Sequence, residues 1–233
     1  HYRFDNYLNR CCENYPTHEL GPIAKLLDIN RGNRIMTVSS FASKSAGLSE
    51  YIKTRVDATD EMKAANFAQG DIITTVLTCA RGETILLRLD TTLPRSYSRD
   101  FTVRGTKGLY MQDTNSVFLD GDEESFEPVE YYKKALNNAV KFEDEYLPGI
   151  WKNVTEETLK AGHGGMDWFA YMGFTDALIN GEEMPVDVYD AATWQAVAVL
   201  SEMSIKQGGA PQIMPDFTNG KWFKRPRKDV CRL

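Results

Sequence analysis

The turn Tyr15-Pro16-Thr17-His18 holds the most reactive combination in the sequence. A phenol and an imidazole at i and i+3 in a turn can point the same way and offer an acid and a base to one hydroxyl group. His18 is one of three histidines in 233 residues, beside His1 and His163. The structural alternative is plain: lone histidines often serve as satisfied polar groups. Tyr15 and Thr17 could equally be staple and cap for the apolar helix IAKLLDI that follows. A second group lies in AGHGGMDWF, where His163 and Asp167, four residues apart, could share a helical face as base and orienter. Its alternative is a glycine-rich helix start whose Asp167 favours the helix dipole. Tyr97, between Arg95 and Arg99 in LPRSYSRDF, sits in a polar break between strand-like runs, a place where ligand contacts are often made.

Other chemistries find little support. There is no G-x-S-x-G and no Ser/His/Asp signature. Nothing in the spacing singles out a glycosidase carboxylate pair. Cys11 and Cys12 are adjacent and poorly placed to bridge each other, and without a C-x-x-C or His/Cys cluster a metal site is not expected. The acidic run DGDEES reads as a solvated turn that lacks calcium-loop spacing. Asn153-Val154-Thr155 matches a glycosylation sequon, but a helix cap explains Thr155 as well. Trp168 and Trp194 read as core aromatics. No G-x-G-x-x-G follows a strand, so the chain is predicted to have no nucleotide-binding domain of its own.

The elements that must position these groups follow from the pattern. IMTVSSFA reads as a strand, and DIITTVLTCARGETILLRLDTTLP as a hairpin around ARGE. DFTVRGTKGLYMQDTNSVFLDG repeats the pattern, which predicts at least four strands in one meander. A helix is expected to open at Pro22 and close at Gly32, and residues 49–69 read as a surface excursion with a helical turn. EPVEYYKKALNNAVKFEDEYL is helical in period, and TEETLKAG is a short helix capped by Thr155. MDWFAYMGFTDALINGE is predicted to stop at Gly181, and DVYDAATWQAVAVLSEMSIKQG to be strongly amphipathic up to Gly208. A strand block before a helix block predicts an α+β fold, with an open, mostly antiparallel sheet and helices on one face, over a single domain 1–233. Its other face is left for a partner domain or a second subunit.

The net charge of −6 and a pI near 5.2 argue against nucleic acid as a partner. KWFKRPRK near the C-terminus reads as a solvated tail. No apolar run approaches a membrane span and no signal peptide is visible. Because His1 runs straight into patterned sequence, the chain is expected to be a piece of a longer protein.

Three stretches, YPTHELGPIAKLLDINRGNR, HGGMDWFAYMGFTDALINGE and PVDVYDAATWQAVAVLSEMSI, resemble the C-terminal half of glycoside hydrolase family 109. That family belongs to the Gfo/Idh/MocA group of NAD(P)-dependent oxidoreductases, and the likeness runs from Tyr2 to about Trp222. The resemblance implies a bacterial protein, often exported, whose N-terminal Rossmann domain holds NAD while this chain completes a carbohydrate site. It implies removal of α-linked N-acetylgalactosamine, an NAD-dependent exception to two-carboxylate hydrolysis. Oxidation of the sugar 3-hydroxyl acidifies the C2 proton and the glycosidic group leaves by elimination. Water then adds and the stored hydride returns to C3.

Carried onto matching positions, the family's tyrosine and histidine fall on Tyr15 and His18, its arginine on Arg3 and a further tyrosine on Tyr97. His18 is then the general base and Tyr15 its partner or the leaving-group acid. Arg3 and Tyr97 would bind sugar oxygens, and His163 is grouped with these contacts. Glu19 stands where the family usually has glycine, and residues 41–67 match poorly. The same fold could serve a sugar dehydrogenase, or a non-catalytic carbohydrate-binding or assembly domain with a homo-oligomer built through its free sheet face. The chain alone is predicted to bind no NAD and to turn nothing over.

Overall fold

The structure, a computed structural model, describes residues 2–90, 92–121 and 128–227. Most of the acidic run DGDEES lies outside these residues, as does Cys231. From the N-terminus come α1 (Tyr2–Asn9), α2 (Pro16–Leu26), β1 (Ile35–Ala42), α3 (Gly47–Thr54) and α4 (Asp60–Lys63). The hairpin β2 (Ile72–Cys79) and β3 (Thr84–Asp90) follows. Next come β4 (Thr102–Arg104), β5 (Gly108–Met111), β6 (Ser116–Leu119), α5 (Pro128–Ala135), α6 (Glu143–Tyr146), α7 (Gly149–Lys152), α8 (Glu156–Lys160) and α9 (Met166–Asn180). The long α10 (Val188–Lys206) and the short β7 (Gln212–Ile213) complete the order. The chain is α+β, with antiparallel open sheets and helices. No helix among the described residues is long and apolar enough to cross a membrane.

Contacts divide the described residues into two compact units: residues up to 95 with 183–227, and residues 96–182. The expected single meander is accordingly two sheets. One has the order β3-β2-β1-β7 and the other β4-β5-β6. The polar break around Tyr97 ends the first ladder instead of turning into the next strand.

In the first unit, alternation along β2 and β3 sends Ile73, Leu77, Ile85, Leu87 and Leu89 inward. Of these, Leu77, Ile85 and Leu87 share one core with Val38 of β1, Leu20 and Ala24 of α2, and Trp194 and Val197 of α10. Each such apolar side chain contributes roughly 1.5–3 kcal/mol when removed from water. The outer face of this sheet carries Leu86, 67% exposed, and Phe41, 55% exposed.

Several local expectations are corrected. The helix opens at Pro16, because proline fits the first turn and keeps Tyr15, the residue before it, out of helical geometry at φ −142°, ψ 48°. Thr17 is therefore inside the helix and is not its cap. Pro22 lies in the interior and cannot donate to the His18 carbonyl. The helix stops at Leu26, short of Gly32, because Asp28 and Asn30 already take positive φ.

Residues 47–63 hold two short helices, the second capped by Thr59, whose side chain accepts from Met62 N–H. The long period after Pro128 breaks at Asn137, which is left-handed at φ 58°. The buried stripe of α10 is not purely apolar, since Asp190, Thr193, Ser201 and Ser204 lie on it while Val199 is exposed. Those polar groups find partners on neighbouring segments: Ser204 Oγ accepts from Ser40 N–H at 2.9 Å. The basic C-terminal stretch is no solvated tail throughout. Arg225 stacks on Tyr189, its guanidinium carbon 4.9 Å from the ring centre, and pairs with Asp187.

In the second unit, Thr155 caps α8 by accepting from Thr158 N–H, and α9 ends at Gly181 with φ 64°, as the sequence suggested. Trp194 is buried, whereas Trp168 on α9 is 47% exposed and is not a core residue.

Candidate acid–base site at the start of α2

Three devices hold the turn that precedes α2. Gln69 clasps Cys12 from both sides, its Oε1 accepting from Cys12 N–H at 3.1 Å and its Nε2 donating to Cys12 C=O at 3.0 Å. Glu13 N–H donates to Ser201 Oγ on α10 at 2.8 Å, and Glu13 Oε1 accepts from Tyr15 N–H at 3.2 Å. Pro16 is buried and fixes the first helical turn. Removing the Gln69 amide strands two buried backbone groups. Gln69→Ala is therefore expected to cost about 1–3 kcal/mol of stability, read as a fall in the urea midpoint at constant slope.

From this base two rings project into solvent. Tyr15 and His18 are both exposed and stack at 4.6 Å between ring centres with 25° between planes. The Tyr15 hydroxyl lies 3.5 Å from His18 Nε2, and Thr17 Oγ1 lies 3.5 Å from His18 Nδ1. The phenol and imidazole thus face the same space, as the i, i+3 spacing suggested. One incoming hydroxyl could meet both.

Arg3, on α1, joins this side of the molecule. Phe4 packs edge-on against Phe67 at 5.6 Å, and Gln69 N–H donates to Tyr7 C=O at 3.0 Å, which holds α1 in place. The Arg3 guanidinium donates to the Tyr2 hydroxyl at 3.2 Å. That bond, then the Tyr2, Tyr7 and Tyr15 phenols, hold its pKa up.

Two carboxyls behind the rings went unassigned at the sequence level. Glu13 is fully buried, and burial followed by the Glu19 charge pushes its pKa up to about 8. Burial likewise raises Glu19, with Arg95 acting in the opposite direction. An acidic residue two positions before the tyrosine was visible in CCENYPTH, but nothing in that pattern marks it as buried.

Tyr97 and His163 belong to the second unit. Tyr97 is 83% exposed, in a shallow groove with Ser98, Arg99, Gln112 and Asp113. The His163 Nδ1 lies 2.8 Å from Asp167 Oδ2, the pairing that the four-residue spacing suggested. His163 takes φ 44° in a run of left-handed glycines, so the loop and not the helix aims its ring. Among the described residues no group of His, Cys, Asp or Glu gathers as a metal site.

The model of the C-terminal domain of glycosyl hydrolase 109 matches residues 1–224. The chain belongs to that family. It is 42% identical over 225 residues to a glycosyl hydrolase family 109 protein of Stenotrophomonas maltophilia, covering 96% of this chain and 48% of that protein. It is 38% identical over 227 residues to an α-N-acetylgalactosaminidase of Tannerella forsythia, covering 96% and 46%. A second α-N-acetylgalactosaminidase, from Shewanella oneidensis, is 34% identical over 209 residues, covering 89% and 45%. The chain spans about half the length of these family 109 relatives.

Proposed function

We propose that this family 109 chain is the substrate domain of an NAD-dependent α-N-acetylgalactosaminidase. The observation that carries the reading is the stacked Tyr15–His18 pair, exposed on a buried and braced turn. Two of the relatives bear that enzyme's name. His18 is the general base, at the sugar 3-hydroxyl or the C2 proton, and Tyr15 its partner or the acid for the leaving group. Arg3 supplies hydrogen bonds to sugar oxygens beside Tyr15. Tyr97 and His163 are assigned to substrate contact, each to be read from the effect of its own replacement on KM.

Among the described residues, the helix start after β1 does not fit a dinucleotide. The strands pair antiparallel. At the start of α3, the helix that follows β1, Asp71 already takes the Ala46 and Gly47 N–H groups at 2.8 Å each. NAD is therefore assigned to an N-terminal Rossmann domain, where, when bound, it provides reversible hydride removal from the sugar.

The test uses the full-length protein with p-nitrophenyl α-N-acetylgalactosaminide and no added cofactor. Nitrophenol released over many turnovers with no net NADH supports the reading. NADH accumulating only with added NAD and free sugar makes the protein a dehydrogenase instead. Silence on a panel of glycosides and free sugars leaves a binding or assembly role.

We place a second copy of the chain on the outer face of the first sheet, where Phe41, Leu86 and Ile213 are exposed. Leu86→Glu is expected to shift the full-length protein to a smaller species in light scattering. An unchanged mass places the contact elsewhere.

A further inference from the structure

Behind the exposed ring pair lies a carboxyl for which the proposed reaction has no use. Glu13 is 0% exposed. Its Oε1 accepts from Tyr15 N–H at 3.2 Å, while its Oε2 is buried with no hydrogen-bond partner among the described residues. Glu19 Oε2, on the first turns of α2, is buried without a partner in the same way. A buried carboxyl oxygen without a partner favours the protonated form, since ionisation away from solvent carries a large desolvation cost. The surrounding charges do not offset it. Arg10 is engaged with Glu202 of α10 at 2.7 Å, Arg95 is paired with Asp90 at 3.6 Å, and the neighbouring Cys12 thiol is itself held neutral by burial.

We propose that Glu13 is a positioning residue for the Tyr15–His18 pair: its un-ionised carboxyl, sealed behind the turn, holds the Tyr15 backbone and so sets the stack of phenol on imidazole. The inference rests on the acid–base reading of that pair. Glu13 keeps its proton up to about pH 8, against an ordinary value of 4.5, because of burial first and the Glu19 charge second. Ionisation would strengthen the bond to Tyr15 N–H. It would also place a charge on the buried Oε2, which has no partner to compensate it, and so loosen the turn.

The sign for stability follows from linkage. The native chain holds a proton that the unfolded chain releases, so stability is full at low pH and falls as pH rises from about 4.5 to about 8.

The experiment compares the full-length wild type with Glu13→Gln, which keeps an acceptor for Tyr15 N–H and cannot ionise. Rates on p-nitrophenyl α-N-acetylgalactosaminide are followed from low to high pH. The wild type is expected to lose kcat above pH ~8, with KM moved less than about twofold. The glutamine variant is expected to match it near pH 6.5 within about threefold and to lose that alkaline fall. A glutamine profile with the wild-type alkaline limb overturns the proposal.

Glu13→Asp keeps an acid with shorter reach. It is expected to lower kcat at every pH while retaining the limb, and unchanged rates count against a positioning role. Melting temperatures decide independently of turnover. The wild type should fall relative to Glu13→Gln between pH 5 and 8, and parallel curves overturn the proposal. A wild type that releases no nitrophenol at any pH defeats the glycosidase reading, and the melting comparison still decides Glu13.

Discussion

Replacing His18 by alanine is expected to lower kcat of the full-length enzyme by about 10²–10⁴-fold and to change KM far less. The imidazole is exposed on the first turn of α2, and its two nitrogens face the Tyr15 hydroxyl and Thr17 Oγ1, each at 3.5 Å. It is exposed and outside the core, so its loss is expected to leave the fold in place while removing the proposed base. A fold role would show as a lower urea midpoint, which is not expected. Tyr15→Phe separates the partners: it keeps the stacking ring and removes only the hydroxyl. A smaller drop than for His18→Ala, with the pH profile altered, is expected if the phenol acts on the leaving group.

The second large effect is on stability. Arg31 is almost fully buried and grips Asp190 through two bonds, at 2.8 and 3.0 Å, and Asp187 at 3.0 Å. Asp187 and Asp190 also form the capping box of α10. One guanidinium thus ties the loop after α2 to the helix that carries Trp194 and Val197. Arg31→Ala is expected to cost about 3–5 kcal/mol, because it leaves buried carboxylates with too little opposing charge. Lys25, 3.6 Å from Asp190, is a weak substitute, since burial already lowers its pKa.

The acid side follows the same network. Burial works to raise Asp187, but Arg225, the Asp190 N–H and Arg31 together hold its pKa below the usual 3.8. Its contribution is present above that value and is lost as pH falls through the native one. In urea the variant should show a lower midpoint and a weaker loss of stability on acidification. An unchanged midpoint would mean that the network contributes little.

What the sequence made legible was local. Alternation in DIITTVLTC and TILLRLD identifies the β2–β3 hairpin, because a sheet covered on one face imposes period two. Thr155 and Gly181 mark helix ends because caps act within one turn. The Tyr15–His18 and His163–Asp167 pairings were also readable, since both are set by three- and four-residue spacing.

Long-range facts were not readable. β1 pairs with β7 across most of the chain, and β4–β6 form a sheet of their own. Neither is marked in any short window. Glu13 looks like any surface glutamate in CCENYPTH, and its burial depends on distant segments such as α10, whose Ser201 meets its backbone N–H. The polar stripe of α10 misled for the same reason: Asp190 and Ser204 are inward because Arg31 and Ser40 meet them there.

The most direct test of the account is hydrolysis of an α-N-acetylgalactosaminide in heavy water by the full-length enzyme, with the released sugar read by proton NMR. Elimination across C1–C2 followed by addition of water exchanges the C2 proton with solvent. Deuterium at C2 of the product is expected, with no net NADH and with loss of both turnover and exchange in His18→Ala. Sugar released with its C2 proton intact would contradict it.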